Sequence, residues 1–190
     1  MNKPDLHLVS EADVSAPHFR SALRRFATGV SIITAGREDE IAGVTAPSLT
    51  LLSVDPPRLL INLNRRSSPF PLIARQGWFG VNMLGSEQLA LADCFSLPHQ
   101  SGRQPFEGIP WSPASSGVPL LKHVQAAIEC EVDEIIERYE RGIIVGRPAG
   151  INLSPRLSSL VFWNGQYVEV DRNADLDLLA EVSIPLAHVR

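Results

Sequence analysis

Short β-prone runs follow one another in this chain with turns between them, and no strand–helix–strand alternation links them. Parallel sheets need that alternation, because each crossover takes a dozen or more residues. "VSIITA" and "IAGVTA", joined by the charged turn from Gly36 to Glu40, read as an antiparallel pair. "LTLLSV" and "RLLINL" are separated by Asp55-Pro56-Pro57. The two prolines fix two φ angles and remove two donors, so the ladder must stop there. "WFGVNML", "VQAAIECEV" and "GIIVGR" follow, and in "LVFWNGQYVEV" the Asn164-Gly165 pair between apolar arms is the strongest hairpin signal in the chain. About seven short strands with two or three short helices predict a mainly β domain with peripheral helices. An antiparallel barrel, which leaves no exposed strand edge, suits that pattern.

The helices are read from caps and period. Residues 1–15 are polar and aperiodic and form an expected loose arm ahead of a domain at 16–190. Pro17 opens a helix with Phe19, Leu23 and Phe26 on one face, and Gly29 ends it. Arg20, Arg24 and Arg25 lie off that stripe, as a solvated face or a binding patch. Phe70 to Gln76 form a short helix closed by Gly77, Ser86 caps "EQLALADCF", and Asn173 to Glu181 add a last short helix. Residues 96–120 are rich in Ser, Pro and Gly, a long connection of the kind that serves as a lid or binding loop. In "VQAAIECEV", Val124, Ala126, Ile128, Cys130 and Val132 alternate toward a core, which points Gln125, Glu129, Glu131 and Asp133 to water.

Bulk properties narrow the function classes. The 190 residues, 44% hydrophobic and 20% charged, suit one globular domain. A net charge of -4 argues against a nucleic-acid backbone as the main partner. No apolar run approaches the ~20 residues that cross a bilayer. Asp5, Glu11 and Asp13 stand where a signal peptide needs a basic start, so a cytoplasmic location is expected. Cys94 and Cys130 lie far apart and read as reduced, mostly buried thiols rather than metal ligands. The five histidines are scattered, and no dinucleotide-binding glycine fingerprint, phosphate loop or nucleophile elbow appears.

"GVTAPSLTLLSVDPP", Gly43 to Pro57, is the stretch with chemical content. Thr45, Ser48, Thr50 and Ser53 alternate with apolar residues, and Arg65, Arg66, Ser67 and Ser68 come one strand later. Hydroxyls and a guanidinium suit a phosphate, and a backbone shelf with polar groups suits a heteroaromatic ring. On composition alone an ordinary strand and turn is the better account, because Thr and β-branched residues are good strand formers.

The order "FRSALRRFATGVSIITA", "GVTAPSLTLLSVDPP", "LLINLNRRSS", "WFGVNML", "LADCFS", "AAIECEV", "GIIVGR", "LVFWNGQY" resembles the flavin reductase-like family over roughly residues 17–168. The resemblance implies an antiparallel Greek-key split β-barrel of the FMN-binding type, usually a homodimer. It implies FMN or FAD as the flavin, NADH or NADPH as reductant, and in many members a partner monooxygenase that receives reduced flavin. Carried over residue by residue, Thr45, Ala46, Pro47 and Ser48 line the flavin ring, largely through backbone groups. Asn62, Leu63 and Asn64 flank the ring and ribityl chain, and Arg66, Ser67 and Ser68 approach the phosphate. Arg103 and Phe106 close over the cofactor from the long loop.

Two departures stand out. Pro47, Leu49 and Leu51 replace the family's usual Ser, Phe and Ser, which removes one backbone donor at Pro47. Tyr139, Glu140 and Arg141 stand where many members carry Gly-Asp-His, so Arg141 takes the place of the histidine near the nicotinamide. An arginine there can bind a nucleotide but cannot act as a neutral imidazole. It can equally be a solvated cation paired with Glu137 or Glu140. Two rival readings share the barrel: a flavoprotein that does not use nicotinamide, and a cofactor-free dimeric interaction protein.

Overall fold

In a computed structural model that describes residues 14–96 and 104–171, Ser15 caps the first helix, α1 (Ala16–Leu23), by accepting a hydrogen bond from the His18 N–H. Its end comes earlier than Gly29. Arg24 is the C-cap, and Gly29 lies in a two-residue strand, β1 (Thr28–Gly29), opposite Val161. The chain continues through β2 (Ser31–Arg37), β3 (Glu40–Ala46), β4 (Thr50–Ser53), β5 (Arg58–Asn64), α2 (Pro69–Gln76), β6 (Trp78–Met83) and α3 (Leu89–Ser96). A 3-10 turn, Gln104–Phe106, precedes β7 (Trp111–Pro113), β8 (Pro119–Leu121), β9 (Ala126–Arg138), β10 (Arg141–Leu153), β11 (Ser158–Trp163) and β12 (Gln166–Asp171).

The main sheet is antiparallel with order β3-β2-β6-β9-β10-β5-β4, and its two edge strands are neighbours in sequence. Only residues 47–49 join β3 to β4. At ~3.5 Å per residue, four steps keep Ala46 and Thr50 within about 14 Å, so the sheet must curl. The curl is visible in the core. Ala42 and Ala46 of β3 share one buried cluster with Leu59, Ile61 and Leu63 of β5, together with Phe79, Cys130 and Ile144. Phe70, Leu72 and Ile73 on α2 pack into the same cluster. Alternate residues, Ile32 and Ile41, face a second cluster under α3, β8 and β11, where Phe95, Leu121 and Leu160 are buried. The expected mainly β class with antiparallel pairing and peripheral helices is therefore present.

Several local readings need correction. Ser86 does not cap α3. It is buried in a turn, the helix starts at Leu89, and Gln88 Oε1 instead accepts from the Gly85 N–H at 2.8 Å. The connection after α3 is not aperiodic throughout, because Trp111–Pro113 and Pro119–Leu121 form a hairpin of their own. That hairpin is held by a buried network in which Thr34 Oγ1 donates to the Pro119 carbonyl and Asn82 Oδ1 accepts from the Leu121 N–H.

The same hairpin overturns the outward reading of Glu129, which is 4% exposed. Its carboxylate accepts from Ser115 Oγ at 2.8 and 3.0 Å and from the Ser116 N–H at 2.7 Å. Burial opposes its ionisation, but the bonds from Ser116 and Ser115 outweigh it and hold the carboxyl below the usual range. On the other face of β9, burial and the adjacent Glu129 charge push the Cys130 thiol up to about 12. Neither Cys94 nor Cys130 forms a disulfide among the described residues. The expected arm largely precedes residue 14, and the expected last helix also lies outside the described residues.

Candidate functional site: a polar face along strand β5

Strand β5 is the spine on which the expected site residues meet. Thr50 pairs with Leu60, so the antiparallel register carried two residues back sets Ser48 opposite Asn62. Pro47 has no N–H to lengthen the ladder, and Ser48 substitutes its side chain. Its Oγ donates to the Asn62 carbonyl at 2.9 Å and accepts the Asn62 N–H at 3.2 Å. Thr45 is tied down similarly, its hydroxyl donating to the Ala92 carbonyl of α3 at 2.6 Å. Both hydroxyls hold the β3–β4 link in place, so what that link presents outward is backbone.

Asn62 differs from its neighbours. Its Oδ1 is buried and has no hydrogen-bond partner among the described residues. A buried carboxamide oxygen left unpaired costs about 1–3 kcal/mol, which a bound donor would recover. Leu63 points the other way, into the core, and only its backbone is available to a ligand. Asn64 organises the turn beyond the strand. Its Oδ1 accepts from the Arg66 N–H at 2.9 Å, and its carbonyl accepts from Ser67 Oγ at 2.6 Å. Ser68 opens α2 with no side-chain bond to the helix, which leaves its hydroxyl unspent.

Arg141 begins β10 directly opposite Asn64, and Asn62 lies opposite Ile143. Glu137 and Glu140, its two candidate partners, are taken: Arg65 reaches Glu137 at 2.7 Å and Arg66 reaches Glu140 at 3.6 Å. Arg66 is strongly exposed and lines an open groove of about 460 Å³ with Arg65, Phe70, Pro71, Tyr139 and Glu140. The structure thus joins Pro47–Ser48, Asn62–Ser68 and Arg141, three segments distant in sequence.

Phe106 does not extend over this face. It is 3% exposed, with its ring edge-on to Phe95 at 5.1 Å and to Trp111 at 6.0 Å, in the cluster beneath α3. Gly43 makes room there, since a Cβ on it would meet the Phe95 ring at 2.6 Å. The expected closing role of Phe106 is corrected to that of a core anchor. Arg103 lies outside the described residues. The pairs formed by Arg65 and Arg66 escaped the sequence reading, although "ERYER" as a tight turn would have signalled carboxylates near the end of β5.

Fold and geometry together define a β domain with a polar face at a strand link, and comparison with known proteins identifies its family. The flavin reductase like domain family matches residues 23–171, and the chain belongs to that family. A probable flavin reductase of Rhizobium meliloti is 33% identical over 82% of this chain, which spans 50% of that protein. A reductase subunit of a flavin-dependent monooxygenase from Rhodococcus jostii is 29% identical, with 86% of this chain and 82% of that one covered. Among solved structures, the NADH:FAD oxidoreductase of Streptomyces globisporus in complex with NAD and FAD fragments aligns with a TM-score of 0.77 at 26% identity. The alignment covers 90% of this chain and 100% of that one.

The residues present fit a flavin. Asn62 Oδ1 offers a buried acceptor of the kind that a ring N–H would satisfy. Ser68 and Arg66 offer an unspent hydroxyl and a guanidinium next to a helix start, the chemistry a phosphate needs.

Proposed function

We propose that this protein is an NAD(P)H:flavin oxidoreductase that reduces FMN or FAD and supplies reduced flavin to a partner monooxygenase. The observation that carries the proposal is the unpartnered Asn62 oxygen, set in the segment that the family resemblance gives to the flavin. The relative that is a monooxygenase reductase subunit and the similar NADH:FAD oxidoreductase support the same reading.

Bound flavin would supply the hydride-accepting ring, and this chain's residues need only hold and orient the reactants. Thr45, Ala46, Pro47 and Ser48 form the shelf, with the Thr45 and Ser48 hydroxyls locking its shape. Asn62 and Asn64 present amides beside it, and Arg66, Ser67 and Ser68 take the phosphate end. Phe106 stays a core anchor beneath α3. Arg141 offers its cation to the nicotinamide nucleotide from the neighbouring strand.

The test is steady-state oxidation of NADH and NADPH with added FMN or FAD. Turnover with a rate that shows no titration near ~6.5, the unperturbed histidine value, is the expected outcome. Arg141→Ala should raise KM for the nicotinamide more than it lowers kcat, as loss of uniform binding does. Arg141 in place of histidine also supports a second reading, a flavoprotein of the same fold that does not use nicotinamide. A purified protein with a flavin spectrum and no nucleotide oxidation would select that reading instead.

We further infer a homodimer. No residue of α1 is buried; Phe19 and Leu23 on its apolar face are 59% and 54% exposed, and Phe26 just beyond the helix is 70% exposed. Apolar stripes of this kind on soluble domains usually mark an interface.

A further inference from the structure

The turn between β9 and β10 contains only Tyr139 and Glu140, which puts Arg138 directly opposite Arg141. Residues directly opposite in an antiparallel pair share a face with Cβ atoms ~5 Å apart, and like charges so placed repel. Neither arginine forms an ion pair with a carboxylate among the described residues. Arg138 donates to the Glu137 carbonyl, while the Glu137 and Glu140 carboxylates serve Arg65 and Arg66. The strand tip therefore presents two uncompensated guanidiniums side by side on a chain whose net charge is -4.

The surroundings of the pair say what it would bind. Arg141 is flanked on its other side by Asn64, so one row of the sheet reads Asn64, Arg141, Arg138. The next row on the same face reads Asn62, Ile143, Ile136, and both isoleucines are only half-buried. Rows on one face lie two residues apart, ~7 Å, and neighbouring strands are ~4.8 Å apart. This is a face for a ligand with a flat, largely apolar part and a doubly anionic end. Two adjacent guanidiniums match two linked phosphoryl groups better than one, because each fork can take its own pair of oxygens.

We propose that Arg138 and Arg141 form a clamp for the diphosphate of a dinucleotide. The inference rests on the reductase reading for the identity of the ligand. The shared chemistry is an adenosine diphosphate unit, carried by FAD and by the nicotinamide dinucleotides alike. The FMN-type phosphate proposed at Arg66, Ser67 and Ser68 is a separate contact.

The probe is adenosine 5′-diphosphate, titrated calorimetrically into the whole protein at low salt. Wild type should bind it, more weakly as salt rises, and Arg138→Gln should weaken binding about tenfold, the scale of one charge-assisted contact. The same variant should unfold no earlier than wild type on heating, since it relieves a like-charge contact, and a merely structural arginine would not behave so. Arg138→Lys should restore part of the affinity. If the diphosphate belongs to FAD, Arg138→Gln weakens FAD and leaves FMN unchanged. If it belongs to the nicotinamide dinucleotide, FAD and FMN are both unchanged and KM for NADH rises. No binding of the probe to wild type, or equal binding by Arg138→Gln, overturns the clamp even where NADH is turned over. Probe binding that depends on Arg138, in a protein that oxidises no nicotinamide, upholds the clamp and overturns the reductase reading.

Discussion

Single side chains carry the proposed phosphate contact and part of the domain's response to acid. Ser68 makes no bond to the helix that it opens, so its loss should cost binding without costing stability. Ser68→Ala is expected to weaken flavin binding by about 1 kcal/mol and Arg66→Ala by somewhat more. Fluorescence titration of FMN checks both, and unchanged affinity in the two variants moves the phosphate elsewhere. Glu129 contributes to the acid response. Its folded carboxyl titrates below its unfolded value, so its contribution to stability is complete above about 4.3. That contribution is lost as pH falls through the lower, folded value. Glu129→Gln should be less stable near neutrality and show a flatter decline in acid, measured by urea unfolding across pH. An identical acid slope in both proteins would remove Glu129 from the account.

At the scale of elements, β10 positions the site because its first residues run hard against α2. Gly142 follows Arg141, and a Cβ on Gly142 would collide with the Phe70 ring. Phe70 belongs to the main core, so the ring cannot simply swing away. Gly142→Ala is expected to cost about 1–3 kcal/mol, the range for overpacked cores. Denaturant midpoints check the stability, and KM for the nicotinamide should rise with the loss, because the displaced strand carries Arg141 away from Asn64. Stability equal to wild type would mean that the β10–α2 contact yields easily. The β11–β12 hairpin makes a second tie: the Trp163 Nε1–H and the Asn164 N–H donate to the Arg25 and Arg24 carbonyls, which fasten the chain just past α1 to that hairpin.

On the whole molecule, the chain just past α1 is tied to the β11–β12 hairpin through those carbonyls, and the helix turns its apolar residues outward. A second copy covering that stripe would bury each Leu23 and Phe19, for about 2 kcal/mol per side chain. Leu23→Asp acts twice in a two-fold interface, so dissociation should become easier by about 4 kcal/mol, near a thousandfold. Sedimentation velocity at micromolar concentration should show dimer for wild type and monomer for Leu23→Asp. A wild-type monomer would refute the dimer directly. Among the described residues no helix is long and apolar enough to cross a membrane.

The sequence by itself determined the features that depend on neighbours along the chain. Asn164 and Gly165 adopt φ of 51° and 81°, as a tight hairpin turn demands. Gly77 closes α2 at φ 73°, and the β2–β3 pairing follows from the short charged turn. The tertiary structure alone decided which strands lie side by side. The alternation in β9 pointed Glu129 outward, and the turn of an upstream hairpin, whose Ser116 lies 13 residues before it, covered it. The long loop exposed Phe106 on paper, and α3 gave it a core to enter. The same holds for the candidate site. Thr45 and Ser48 were legible as a polar pattern and Asn62 through the family resemblance, but only the tertiary structure showed which hydroxyls are spent internally. Nothing local distinguishes Arg138 from any surface arginine; it gains meaning from a register that sets it against Arg141, and register is a property of two strands together.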